Sequence, residues 1–304
     1  MSMLGGWAEA QRLKAAAMSD DIPVFYRGLE KTMDKRRSQH GLVVLRSRSD
    51  AAVDLSSNDF LSLTSSGSLR KAFLEELASH PDFQLGSTGS RLLDGNNTYI
   101  ETVEKELAEF HGAEDALIVN SGYEANGAIF TAIPQPGDVI VYDELIHASV
   151  HDGMRHTLAS DKAFFRHNSV ESFVETLQSV KETHPRIRNG ESTVLVAIES
   201  VYSMDGDISP VKELIDAAKS IFPDRNTVQF IIDEAHSTGV IGPKGAGLIC
   251  RLGLEKEMAI RVHTFGKALG SHGGMLESPF TLFPAISILD IGNCSWLWRS
   301  SFRR

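Results

Sequence analysis

At 304 residues, with 42% hydrophobic and 23% charged side chains, the chain has the composition of an ordinary folded protein and the length to bury a large core. Thirty basic against forty acidic residues give a net charge of −10, which argues against a nucleic-acid or anionic-membrane partner. No apolar run reaches the roughly 18 residues of a membrane span. Two cysteines, Cys250 and Cys294, cannot form a disulfide framework and fit a reducing compartment, so a cytoplasmic enzyme is the expectation.

The opening stretch, MSMLGGWAEAQRLKAAAMSDD, lacks the charged-then-apolar layout of a secretory signal. Residues 7–40 are polar and helix-forming, and Lys35-Arg36-Arg37 reads as a solvated helix face. The alternation in GLVVLRSRSDAAVDLSSNDFLSL predicts a short hairpin followed by a loop. The glycine- and serine-rich stretch 85–97 is either a surface connection or a backbone that approaches a ligand closely. Ile100, Val103, Leu107 and Phe110 are spaced for one face of a helix.

Apolar strand-like runs follow at Ala116–Val119, Val139–Tyr142, Val194–Ile198, Val228–Ile232 and Ile260–Phe265. Between the third and fourth, Val211, Leu214, Ile215 and Ala218 line a helix face, with Ser209 as N-cap and Pro210 at the first helical position. Continuously apolar strands alternating with helices predict an α/β fold in three layers, a mostly parallel sheet covered on both faces.

In such sheets ligands bind beyond the carboxyl ends of the strands. After the first strand, Ser121-Gly122 opens a helix and offers N–H groups and a hydroxyl to an anion, or is simply a cap. After the second, His147 and His151 sit four apart. A metal pair, a ring stacked on a planar ligand and a buried side chain are all open readings, but no third ligand has matching spacing and HExxH is absent. After the third comes ESVYSMDGDISP, rich in hydroxyls and acceptors. Asp233 ends the fourth, where a buried carboxylate needs a cationic partner. Lys267 follows the fifth, among apolar neighbours, as an amine able to attack a carbonyl.

The letters DEAH also occur in helicases, but the glycine-rich phosphate loop those need is missing: the only Gly-Lys pair, Gly266-Lys267, is followed by Ala268. No GxSxG elbow occurs either. A phosphate cup, a stacking histidine, a buried acid and a lysine at successive strand ends match what pyridoxal 5′-phosphate requires.

The segments SSNDFLSL, GSTGSRLLDGNN, ELAEFHGAEDALIVNSGYEAN, IHAS, ESVYSMDGD, DEAHSTGVIGPKGAG and TFGKALG resemble the α-oxoamine synthases. These are fold-type I pyridoxal-phosphate enzymes within aminotransferase class I/II. The resemblance runs from about residue 20 to Gly274, and within the family the wording is most like the 8-amino-7-oxononanoate synthases of biotin synthesis, with the 5-aminolevulinate synthases, 2-amino-3-ketobutyrate CoA ligases and serine palmitoyltransferase subunits left open. It implies a homodimeric acyltransferase that condenses an alanine-like amino acid with an acyl-CoA and releases CO₂ and an α-amino ketone.

The resemblance also implies roles. Lys267 would bond the cofactor aldehyde and move protons at the substrate α-carbon. Asp233 would pair with the pyridine nitrogen, and His147 would stack on the ring. Ser121, Gly122, Tyr123 and Thr264 would hold the phosphate and ring, His236 and Ser203 would address the phenolic oxygen, and Asn58 would lie near the substrate carboxylate.

The expected organisation is a helical and hairpin segment over 1–55, a cofactor-binding large domain over 56–274 and an atypical tail over 275–304. That tail, MLESPFTLFPAISILDIGNCSWLWRSSFRR, stands where the family continues into a small C-terminal domain, so that domain is expected to be missing. The expectation is that the tail derives from a frameshift, a retained intron or a misplaced gene end. The alternative to an active acyltransferase is an inactive subunit that pairs with a full-length homologue.

Overall fold

The computed structural model describes residues 23–44, 53–84, 86–223 and 227–279. The chain divides into two units at Leu55/Ser56. In the first, α1 spans Val24–Ser38, and Lys35, Arg36 and Arg37 lie in its last turn, where cations complement the helix dipole. Arg37 Nη1 donates to Asp34 Oδ1 at 2.5 Å. Of the segment predicted as a hairpin, the described residues 41–44 and 53–63 carry no strand, and residues 45–52 lie outside the described residues. Val43, Val44, Val53 and Leu55 are all exposed, and a lone two-stranded ribbon with no apolar face to bury is marginal in water.

The second unit is built on a seven-stranded sheet. Its strands are β1 (Asp115–Val119), β2 (Val139–Asp143), β3 (Asp161–Phe165), β4 (Val194–Glu199), β5 (Val228–Asp233), β6 (Met258–Thr264) and β7 (Gly274–Ser278), in the order β1-β7-β6-β5-β4-β2-β3. The run β6-β5-β4-β2-β3 is parallel, and β7 is antiparallel to both neighbours. All five predicted strands are present. Two were not foreseen, β3 at an edge and β7 inside the sheet. The expected boundary after Gly274 therefore falls within β7, because Met275–Ser278 are fully buried and complete the sheet. Residues 280–304 lie outside the described residues.

The helices are α2 (Ser68–Ser79), α3 (Thr98–His111), α4 (Gly122–Ala132), α5 (Ala148–Met154), α6 (Val170–Thr183), α7 (Pro185–Arg188), α8 (Val211–Ile221) and α9 (Leu248–Leu252). Alternation along the central strands sorts them into two layers. Val194, Val196 and Ile198 of β4 pack with Phe173 and Leu177 of α6 and Leu214 of α8. Leu195 and Ala197 face the other way, with Ala125 and Ile129 of α4 and Val150 of α5. This is the expected three-layer α/β arrangement, and burial on both faces is why these strands are apolar throughout.

Two helix details differ from expectation. In α3 the buried residues are Glu104, Ala108 and His111, while Phe110 is exposed. The buried face is displaced because Arg91 donates to both Glu104 oxygens, at 2.6 and 2.9 Å, and Ile118 N–H donates to the same carboxylate at 2.7 Å. In α8 the N-cap is Pro210 rather than Ser209, with the four predicted apolar residues buried.

A buried ionic group underlies β6 and β7. Arg261 Nε lies 2.9 Å from Glu277 Oε1, and His263 Nε2 lies 3.0 Å from the same oxygen, all three residues being about 1% exposed or less. Arg261 also donates to His111 O at 2.9 Å, and Thr238 Oγ1 lies 2.8 Å from His263 Nδ1.

Candidate active site

The carboxyl ends of β1, β2, β4, β5 and β6 point one way, and each delivers a polar residue to the same rim. At β1, Ser121 caps α4: its Oγ accepts from Glu124 N–H at 3.1 Å. Gly122 is buried so tightly that an added Cβ would stand 3.2 Å from Thr264 Cβ at the end of β6. Ser121 bridges to Gly273, which precedes β7, and Thr264 Oγ1 donates to Gly273 O at 3.4 Å. The first turn of α4, Thr264 and the start of β7 thus form one cup at a helix N-terminus, suited to an anion.

His147 follows β2 as the N-cap of α5, and its Nδ1 accepts from Ser149 N–H at 3.2 Å. Because that nitrogen accepts, Ser149 Oγ, 2.7 Å away, donates to it as well. Ser149 Oγ in turn accepts from Asn126 Nδ2 at 3.1 Å, and the same amide donates to Asp233 Oδ2 at 2.7 Å. One carboxamide on α4 therefore joins the ends of β2 and β5. Asp233 Oδ1 accepts from Ala235 N–H at 2.8 Å, so both oxygens of this buried carboxylate have a donor. Tyr123 packs edge-on to the His147 ring at 5.8 Å and donates its hydroxyl to Asp152. His151 lies apart, edge-on to Tyr142 at 5.4 Å.

Lys267 is half-buried, with Nζ 2.9 Å from His236 Nε2. Burial lowers the lysine below its ordinary value, against the pull of the nearby Asp233 carboxylate. Burial first, then the Lys267 charge, push His236 down to about 4, so it is a neutral ring at physiological pH. Phe60 sits 6.2 Å from the His236 ring, and Thr64 Oγ1 donates to Gly270 O at 3.3 Å, bringing the chain around Asn58 alongside the lysine loop.

Ser121, Gly122, Thr264, Tyr123, His147, Asp233, His236 and Lys267 are thus gathered along one rim. Asn58 and Ser203 are exposed and make none of these contacts. Three residues of the cluster were not singled out from sequence: Asn126, Ser149 and Glu199. Each lies inside a quoted segment (NSGYEAN, IHAS and ESVYSMDGD), but each looks like an ordinary polar residue until the strands are laid side by side.

The profile of the family described as aminotransferase class I and II matches residues 50–286. The chain belongs to that family. It is 50% identical over 279 residues to the aminoacyl transferase sphA of Aspergillus fumigatus, covering 91% of this chain and 59% of that protein. It is 50% identical over 227 residues to the 8-amino-7-oxononanoate synthase of Emericella nidulans, covering 74% of this chain and 55% of that one. Among solved structures, it superposes on a serine palmitoyltransferase from S. paucimobilis with bound PLP–myriocin aldimine, at TM-score 0.69 and 29% identity, over 88% of this chain and 69% of the other. An 8-amino-7-oxononanoate synthase from Francisella tularensis superposes at TM-score 0.58 and 27% identity, over 79% of this chain and 62% of the other. The chain spans little more than half the length of the curated relatives it matches.

Proposed function

We propose that this chain carries the pyridoxal-phosphate site of an acyltransferase that joins an amino acid to an acyl-CoA with loss of CO₂, giving an α-amino ketone. The observation that carries the reading is the shared rim: an anion cup, a buried carboxylate and a half-buried lysine stand at the ends of β1, β5 and β6. The donor set fits the cofactor. Ser121, Gly122, Tyr123 and Thr264 would hold the phosphate, in a cup that a Cβ at Gly122 would crowd. Asp233 would face the pyridine nitrogen, oriented by Asn126 and Ala235. His147 would cover the ring, its tautomer set by Ser149. Lys267 would bond the aldehyde carbon.

When bound, pyridoxal phosphate supplies an electron sink for the carbanion formed at an amino acid's α-carbon. The chain's own groups do the remainder. Lys267, its proton loosened by burial, takes and returns the α-proton. His236 is neutral and can donate to the cofactor's phenolic oxygen together with Ser203, while Asn58 would meet the substrate carboxylate. Asp233 would face the ring nitrogen and favour its protonated form, so that negative charge developing at carbon would be stabilised.

An alanine-like donor and the biotin-type reaction are the finer form of this reading, supported by the Emericella nidulans relative. The equally similar relative named aminoacyl transferase sphA makes the donor the point to test. A partner copy of the chain is proposed to complete the site. Titration with pyridoxal phosphate, borohydride reduction and peptide mapping should place the cofactor on Lys267. CoA release with alanine, glycine and serine against several acyl-CoAs then identifies the substrates. Folded protein that never acquires cofactor on Lys267 sinks the reading and favours an inactive subunit that pairs with a full-length homologue.

A further inference from the structure

The turn that carries Ser203 is gripped by a histidine between two aspartates. Val201 and Ile208 form an antiparallel bridge, Tyr202 N–H donates to Asp207 O at 3.0 Å and Gly206 N–H donates to Tyr202 O at 2.9 Å. Residues 201–208 are therefore a tight hairpin with Ser203, Met204 and Asp205 exposed at its tip. Asp143, the wholly buried last residue of β2, stands on one side of it, and His167 follows β3. His167 Nδ1 lies 2.8 Å from Asp143 Oδ1, and its Nε2 lies 2.7 Å from Asp207 Oδ2 in the hairpin. Asn168, held at φ 51°, donates its backbone N–H to Asp143 Oδ2 at 2.9 Å and its amide to Asp207 Oδ2 at 2.6 Å.

A neutral imidazole has one N–H and cannot donate to two carboxylates; only the imidazolium can. The other groups around it agree. Tyr202 meets the ring edge-on at 4.5 Å, Glu144 Oε1 accepts the His167 backbone N–H at 2.8 Å, and neighbouring Arg166 lies 3.9 Å from Glu171. Burial alone would lower His167, but hydrogen bonds and charge from Asp143 and Asp207 outweigh it and raise the group above its ordinary value.

We infer that His167, as an imidazolium, clamps the Ser203 hairpin to the end of β2 and is a positioning residue for the group that hairpin offers to the cofactor. The clamp opens when His167 gives up its proton. Only the link from Ser203 to cofactor rests on the proposed function; the clamp itself does not.

The test has two arms on the full chain. Without cofactor, the His167 ring is followed by NMR across pH, assigned with His167→Gln. Amide exchange of residues 201–208 is measured against β4 amides in the same sample, so that the base-catalysed rise cancels. The ring should titrate above the ordinary histidine midpoint of about 6.5. Relative hairpin exchange should rise through that midpoint, Asp207→Asn should move both downward, and His167→Gln should exchange fast at every pH. If His167→Gln does not fold, Asp207→Asn and the wild-type pH series decide alone.

In the second arm, the apparent Kd for pyridoxal phosphate should rise through the same midpoint in wild type but not in His167→Gln. Hairpin exchange that ignores both pH and Asp207→Asn overturns the clamp. Exchange that responds while cofactor affinity does not overturns the positioning role. Failure to link cofactor to Lys267 at any pH sinks the functional reading instead and leaves the first arm to judge the clamp.

Discussion

Glu199 and Asp233 are register partners at the ends of β4 and β5, two buried carboxyl groups side by side in one sheet. Burial first and the Asp233 charge second push Glu199 up to about 8, against the His147 N–H and the Lys267 charge, which lower it. Glu199 therefore keeps its proton at neutral pH, beside Asp233, whose two oxygens each accept an N–H donor.

A raised carboxyl binds its proton more tightly in the folded chain than in the unfolded one. Stability is then fully present below the ordinary glutamate range and declines as pH rises through about 8. Glu199→Gln removes that slope, which reaches ~1.4 kcal/mol per pH unit for one proton. Urea melts across this range should show wild type losing stability that the variant keeps. Parallel losses in both proteins would refute the assignment.

Asn126→Leu takes the shared donor from Asp233 Oδ2 and Ser149 Oγ together. Leaving buried acceptors unmet costs ~1–3 kcal/mol each, so a clear fall in Tm is expected. Cofactor affinity should fall further than in a surface control of equal stability, because both Asp233 and the His147 tautomer lose their support. Unchanged affinity in the folded variant would remove Asn126 from the site.

Gly274→Ala and Gly127→Ala should behave oppositely. A Cβ at Gly274 would stand 2.6 Å from His263 O and 2.8 Å from Gly122 N, backbone atoms that cannot yield, whereas at Gly127 nothing lies within 4 Å. The first should cost ~3 kcal/mol or more and weaken cofactor binding through the cup. The second, within α4, should stabilise by up to ~1 kcal/mol. Thermal melts of the two variants separate these outcomes.

Arg261→Leu strands Glu277. Burial already raises Glu277 to about 7 against the Arg261 charge, and removing that charge raises it further. Losing one member of a buried pair typically costs ~3–5 kcal/mol. The loss should grow with rising pH, because the folded state must then hold a bare carboxylate or a more tightly bound proton. Replacing Glu277 with methionine in the Arg261→Leu background should recover much of it, as denaturation midpoints would show.

Most of the sheet was legible because strands buried on both faces must be apolar at every position, as in Val194–Ile198. β3 escaped notice because DKAFF is an edge strand, with only Phe165 fully buried. β7 escaped because Glu277 and Ser278 look like loop residues, and only Arg261 and His263 across the ladder make burying Glu277 tolerable. In the site, Lys267, Asp233 and His147 stand out by position after a strand. Asn126, Ser149 and Glu199 do not, since their meaning lies in neighbours on other strands. Asp143 and His167 were hidden in the same way, 24 residues apart in sequence.

The place of β7 also sets an order of assembly. Among the described strands β1 reaches the rest of the sheet only through β7, so Val119 waits for Gly274, 274 − 119 = 155 residues later in synthesis. The parallel strands can pair while the chain is still emerging, but the anion cup closes only when β7 slides between β1 and β6. Long-range pairings of this kind form slowly, and until then two strand edges and the cup's backbone N–H groups stay open to water. A nascent chain halted before Gly274 would hold the lysine, the acid and the histidines, yet lack the strand that closes the cup.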